Sequence, residues 1–257
     1  MNIEKKTKIM YDKFGEEYNL TRINKKPERL FNEFLEIPCM IKAVGKIKNK
    51  KLLDIGCGTG DHAKKYLKLG AKVAGVDISK TMINISKVNC PDAEFKIASM
   101  NKLPFKDNSF EIITASLVVD YIKDLKKAFR EVNRVLKKGS LFFYSDQSII
   151  SGAREKVRID NKLYNVVGYI KDDNKEKTCF GNCWKSYVRT VELVPGMKVN
   201  QHVRPMRNHL FAIKQAGFEL VDLIDCKPTA DFKKYDPKTY KIYTKFPLFN
   251  IFVCKKK

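Results

Sequence analysis

Apolar residues recur along this chain at two periods, and the change from one to the other marks its elements. Tyr11, Phe14 and Tyr18, then Leu30, Phe31, Phe34 and Leu35, return every three or four residues, the spacing of helices with one buried face. Residues 1–49 therefore read as an N-terminal helical cap. From Lys51 short apolar runs alternate with helical stripes, the sign of a parallel sheet joined by right-handed crossovers. Strands are expected at Lys51–Cys57, Lys72–Asp77, Ala93–Ala98, Phe110–Val119 and Ser140–Asp146. Between them, Asp61–Leu69 reads as a helix stopping at Gly70, and Leu125, Phe129, Val132 and Leu136 form a helical face stopping at Gly139.

The rhythm then breaks. Residues 148–200 are polar and turn-rich, with strand-like pieces at Leu163–Ile170 and Tyr187–Val194. Inserted after the fifth strand, such a segment would sit over the carboxyl edge of the sheet as a substrate lid. Regular architecture resumes at Arg204–Gly217, with Pro205 in the first turn and Met206, Leu210 and Ile213 as the buried stripe. Phe218–Asp225 and Leu248–Cys254 finish the sheet. Residues 50–257 thus form the main body under the cap, one compact domain overall.

Composition narrows the classes. A chain of 257 residues with 44% hydrophobic content can build one good-sized core. No apolar stretch approaches the ~20 residues of a membrane span, and the N-terminus is charged, so a cytoplasmic location is expected. Seven scattered cysteines fit a reducing compartment. Only Cys179 and Cys183 lie close together, without a second pair of ligands, and no metal is expected. The net charge of +22 raises nucleic acid as a partner. Lysines occur on every polar face, but Lys233, Lys234, Lys238, Lys241 and Lys245 interleave with Tyr235, Tyr240 and Tyr243. That pattern suits either a grip on single-stranded RNA or a solvated connection between the last two strands.

The most informative chemistry lies in Leu52–Gly60, a buried strand running into Gly56, Gly58 and Gly60. A dinucleotide fingerprint would place its third glycine where Asp61 stands, and no Gly-Lys-Ser/Thr of a triphosphate loop follows. What remains is the turn of a cofactor carrying ribose but no pyrophosphate. Asp77 ends the second strand about twenty residues on, the place of a ribose-binding acid. It also suits a simple cap for the helix beginning at Ser79.

With Asp54-Ile-Gly-Cys-Gly-Thr-Gly60, Gly75-Val-Asp77-Ile-Ser79 and Met82, Ala98-Ser-Met-Asn-Lys-Leu-Pro-Phe105, Ser109-Phe-Glu-Ile-Ile113 and Arg130–Gly139 in order, the chain resembles the class I S-adenosylmethionine-dependent methyltransferases, in their small-molecule subgroup. The resemblance covers roughly residues 52–143. It implies a Rossmann-like α/β fold with a seven-stranded, mostly parallel sheet whose last strand is antiparallel. It also implies S-adenosylmethionine as cofactor, with contacts from Asp54, Gly56, Cys57, Gly58, Gly60, Asp77, Ile78, Met82, Ser99, Met100 and Ser116. Met82 equally suits the core. Ser99 stands where many relatives carry an aspartate for the adenine amino group. Asp120-Tyr121 replaces the Asp/Asn-Pro-Pro-aromatic tetrapeptide of enzymes that methylate exocyclic or amide nitrogens.

Transfer from a sulfonium is an in-line displacement, so positioning and exclusion of water come first and a dedicated base is optional. Residues expected on the catalytic rim are His62, Asp120, Tyr121, His202 and His209, with His202, Tyr121 and His62 as the candidate catalytic groups. Tyr11 and Tyr18 on the cap, with Tyr121, Trp184, His202 and Arg204, are the substrate and lid candidates. Three functions follow: methylation of a small molecule, methylation of RNA through the basic C-terminal region, or a cofactor-binding regulatory role without catalysis.

Overall fold

In the computed structural model, which describes residues 2–23, 31–152, 155–159, 162–166, 168–172, 175–179 and 184–257, the chain first lays down five parallel strands. These are β1 (Lys51–Ile55), β2 (Lys72–Asp77), β3 (Glu94–Ile97), β4 (Phe110–Ser116) and β5 (Leu136–Gln147). Three antiparallel pairs follow: β6 (Glu155–Ile159) with β7 (Lys162–Val166), β8 (Gly168–Asp172) with β9 (Lys175–Cys179), and β10 (Tyr187–Glu192) with β11 (Lys198–Val203). β12 (Phe218–Asp225) and β13 (Phe249–Lys256) then complete a seven-stranded sheet in the order 12-13-5-4-1-2-3. β13 is antiparallel to both neighbours, as the resemblance implies.

The helices are α1 (Ile3–Ile23), α2 (Ile37–Val44), α3 (Asp61–Lys68), α4 (Lys80–Asn89), α5 (Leu125–Val135), α6 (Ile149–Gly152), α7 (Met206–Gln215), α8 (Phe232–Tyr235) and α9 (Pro237–Tyr243). Strand alternation sends side chains to two cores. Leu53, Ile55, Phe142, Tyr144 and Phe252 pack with α5 and α7, while Leu52, Phe143, Ile251 and Val253 pack with α2, α3, α8 and α9. Burial on both faces explains why β1 and β2 read as near-continuous apolar runs.

Several boundaries differ from the sequence expectations for local reasons. β1 ends at Ile55, because Gly56 takes φ +67°, and β4 ends at Ser116, because Leu117 takes φ +54° before a 3-10 turn at Val119–Tyr121. The buried stripe of α7 is shifted: Leu210 is exposed, and His209 is buried with Ala212 and Ile213. In the basic connection between β12 and β13 Tyr243 is buried, whereas Tyr235 stays about half exposed. Tyr235 lies 5.0 Å from Phe34 and Tyr243 5.5 Å from Phe31, centroid to centroid.

Phe129 anchors the first core, with ring centroids 5.4 Å from Phe142 and 5.0 Å from Tyr144. Phe129→Ala is expected to destabilise the fold by about 3–5 kcal/mol through lost transfer energy and the residual cavity. Urea unfolding reads this directly, and a loss below about 1 kcal/mol would contradict the packing described.

Candidate functional site

The carboxyl ends of β1, β2 and β4 meet at a cleft, and the first βα turn shows why glycine is required there. A Cβ on Gly58, at φ +52°, would meet no protein atom within 4 Å, so a side chain would project into the cleft that Gly58 lines. Gly56 is constrained from the other side, since a Cβ there would stand 2.1 Å from Val118 Cγ2. Asp77 fixes the turn: its Oδ2 accepts from the Gly58 N–H at 3.0 Å and its Oδ1 from the Ser79 N–H at 2.9 Å. Burial pushes the Asp77 pKa up to about 6 despite these donors.

α1 closes the cleft from above. Asp12 Oδ1 accepts from Ser79 Oγ at 2.7 Å and from the Lys80 N–H at 2.8 Å, fastening α1 to the start of α4. Gly15 permits the approach, because a Cβ there would lie 2.6 Å from Thr81 Cγ2. On its other side α1 meets the turn of the β10–β11 hairpin, where Val194, Met197 and Val199 pack against Met10, Tyr11, Phe14 and Tyr18. The enclosed cleft measures about 1260 Å³, including the solvent at its mouth.

Among the expected cofactor residues, Gly56, Cys57, Gly58, Asp77, Ile78, Met100 and Ser116 line this cleft. Four lie outside its lining. Asp54 is buried beneath the turn, accepting from Thr114 Oγ1 at 2.9 Å, with its pKa raised by burial to about 6. Gly60, at φ +88°, serves packing against Cys90, and Met82 is wholly enclosed in the core. Ser99 donates to Glu4 Oε1, so α1 supplies a carboxylate where the strand edge lacks one.

Tyr11, Tyr18 and Tyr121 form one aromatic group in the cleft, with centroids 5.5 and 6.3 Å from Tyr11 and edge-to-face packing. Trp184 does not line it, being 86% exposed. His202, Arg204 and Asp120 line a separate, smaller cavity of about 410 Å³. The Arg204 guanidinium donates to the carbonyls of Val119, Ile122 and Lys123 and so clamps the 3-10 turn. His209 is buried, its Nε2 3.2 Å from Asp146 Oδ2. Cys183 lies outside the described residues.

His62 lines the cleft at its floor, and its partner is a residue that periodicity concealed. Glu36 Oε2 lies 2.9 Å from His62 Nε2, and Glu36 Oε1 accepts from Ser145 Oγ at 2.7 Å. Glu36 ends a π-turn, Asn32–Glu36, created by Pro38: lacking an N–H, Pro38 leaves the Phe34 carbonyl to accept from Thr229 N–H at 2.9 Å. Its sequence signal is an acid inside the apolar run Phe34–Met40. Burial alone would push His62 down and Glu36 up. Their mutual charge and hydrogen bond overcome this, holding His62 above and Glu36 below their ordinary values.

With this geometry in view, residues 53–144 match a family model described as a methyltransferase domain. The chain is 29% identical over 205 residues to an uncharacterized protein of Haemophilus influenzae, covering 72% of this chain and 79% of that one. It is 37% identical over 109 residues to the demethylmenaquinone methyltransferase of Chlorobaculum parvum, covering 42% of this chain and 45% of the relative, so it spans less than half of that enzyme. An S-adenosylmethionine-dependent methyltransferase from Mesorhizobium loti shares its fold, with a TM-score of 0.61 at 21% identity over 86% of this chain and 96% of that one.

The His62–Glu36 pair carries a signed pH dependence. Its stabilisation is present while His62 is protonated and Glu36 ionised; it fades as pH rises through the raised imidazole pKa and as pH falls through the lowered carboxyl pKa. An NMR titration of the His62 ring should give a pKa above the ordinary imidazole value, dropping in Glu36→Gln, where burial and Arg22 are opposed only by Asp54. An unchanged titration in the variant would refute the pairing.

Proposed function

Since its methyltransferase domain places the chain among the class I S-adenosylmethionine-dependent methyltransferases, we propose that it transfers a methyl group from S-adenosylmethionine to a small-molecule acceptor held under α1. One observation carries the reading: the cleft runs from Gly58 and Asp77, where a nucleoside would sit, on to the tyrosine group.

S-adenosylmethionine supplies an electrophilic methyl group on a sulfonium. Asp77 would hold the ribose hydroxyls and Gly58 would let the backbone approach the cofactor. Ile78 and Met100 offer the apolar walls for the adenine. Thr7 Oγ1, buried without a hydrogen-bond partner on the cleft wall, is a further donor for either ligand. The electron-rich faces of Tyr11, Tyr18 and Tyr121 favour a cation, by about 0.5–2 kcal/mol per favourable ring. Glu36 favours the protonated form of His62, which would orient an anionic nucleophile rather than serve as a base.

The relatives named for demethylmenaquinone support a small acceptor. An RNA acceptor is not favoured, because Tyr243 is buried against Phe31 and of the three C-terminal tyrosines only Tyr235 is exposed, which makes no row of stacking rings. A cofactor-binding role without catalysis leaves the volume beyond Gly58 and Asp77 unexplained.

Calorimetry with S-adenosylmethionine should show binding that Asp77→Ala or Gly58→Val weakens by at least about tenfold. Because burial pushes the Asp77 pKa up to about 6 and the ionised carboxylate is the stronger acceptor of hydroxyl hydrogen bonds, wild-type affinity should fall as pH drops through about 6. Affinity unaltered in both variants would overturn the assignment.

A further inference from the structure

The smaller cavity lies behind one wall of the large cleft. It is bounded by the carboxyl end of β5, the 3-10 turn after β4 and the β10–β11 hairpin. The wall is a single layer of side chains, because neighbouring residues face opposite ways. Tyr121 and Gln201 line the cleft, whereas Asp120 and His202 line the cavity. Arg189, on the cavity side, donates through Nε and Nη2 to Gln201 Oε1 at 3.2 and 2.9 Å. Gln201 Nε2 in turn donates to the Tyr121 hydroxyl at 3.4 Å.

Among the described residues, basic side chains outnumber acidic ones in the lining of the cavity. Burial and the charge of Asp146 push the Asp120 carboxyl well up, which favours its protonated form. Asp146 is already engaged: its Oδ1 accepts from the Gln147 N–H at 2.6 Å, and Oδ2 lies 3.2 Å from His209 Nε2. Burial, then the charge of Arg204, hold His209 down to about 4 and push His202 down as well. The basic side chains are Lys185, Arg189 and Arg204. His202 Nε2 is buried with no hydrogen-bond partner, an arrangement that folded proteins seldom keep without a ligand or water.

We infer that this cavity anchors an acidic group, a carboxylate or a phosphate, of the methyl acceptor, with Arg189, Lys185 and His202 as its donors. The inference rests on the methyl-transfer reading and narrows it to acidic acceptors. A guanidinium matches either anion with paired N–H donors. Release of Gln201 from Arg189 opens the wall, so that an acceptor held by its acid reaches Tyr121 and Tyr11 with its nucleophile.

The test is calorimetry on the full chain with inorganic phosphate and with benzoate, in the wild type, Arg189→Gln and Lys185→Gln, alongside S-adenosylmethionine. At least one probe should bind, about tenfold more weakly in Arg189→Gln and less markedly so in Lys185→Gln, an exposed position whose change leaves the fold intact. Cofactor affinity should stay within about twofold in both variants. Preference for benzoate identifies a carboxylate and preference for phosphate a phosphoester. Binding of neither probe, or equal binding by all three proteins, overturns the inference. Asp77→Ala separates the two readings: probe binding should persist there while cofactor binding fails. A wild-type chain that binds a probe but no cofactor would remove the methyl-transfer reading and leave the anion site standing.

Discussion

The carboxylate of Asp77 is the interaction on which the edge of the sheet depends. It satisfies the N–H of Gly58, in a left-handed turn that no secondary structure can serve, and the N–H of Ser79, at the start of α4. Ser79 in turn donates its hydroxyl to Asp12 of α1 while accepting from the Met82 N–H at 3.2 Å. One chain of hydrogen bonds thus joins the glycine turn of β1, the end of β2 and the helix that covers them. A residue without a carboxylate at 77 would strand two buried donors and loosen the covering helix together with the turn. Burial raises the pKa of Asp77, so the charge that organises the edge is held close to the limit of its own ionisation.

What could be read from the sequence was what local rules encode. Strand, glycine turn and helix follow one another within a few residues around Gly56–Gly60, and Asp77 stands at a distance set by one βα unit. Pairings between distant segments left no periodic trace. Glu36 and His62 are 26 residues apart, and the π-turn that aims Glu36 inward breaks the 3.6-residue period used to find buried faces. The same logic moved the α7 stripe by one position. His209 reads as polar and Leu210 as apolar, yet His209 is inward because Asp146 and the Tyr144 hydroxyl, 3.3 Å from its Nδ1, give its nitrogens partners. Trp184 shows the converse, a large apolar ring left exposed where hydropathy suggested a wall.

Charge is distributed against composition. The chain carries +22, yet Glu36, Asp54, Asp120 and Asp146 are buried close to the carboxyl edge. Each is tolerated by a different device: the His62 ring for Glu36, a hydroxyl donor with a raised pKa for Asp54, and a mutual hydrogen bond with raised pKa values for Asp120 and Asp146. Among the described residues the lysines remain on the outside and set a long-range field, screened beyond about 8 Å at physiological salt. Acidic small molecules are drawn toward the surface by that field, but selection among them belongs to the few cations that converge inside the smaller cavity.

Selectivity then becomes a matter of strand register. Along β11 the side chains alternate, so Gln201 faces the cleft and His202 the cavity, and a slip of one residue would exchange them. Cross-strand contacts oppose that slip. Arg189 pairs with Gln201, Thr190 donates to Asn200 Oδ1 at 2.9 Å, and a Cβ on Gly196 would stand 3.5 Å from the Phe14 ring of α1. Arg204 performs the equivalent task on the 3-10 turn, whose carbonyls it holds so that Asp120 and Tyr121 point into different spaces. The sheet edge needs only to present a cofactor. The hairpin and the turn decide what faces it, and they do so through alternation enforced by hydrogen bonds, which a family can vary residue by residue without disturbing the glycine turn beneath.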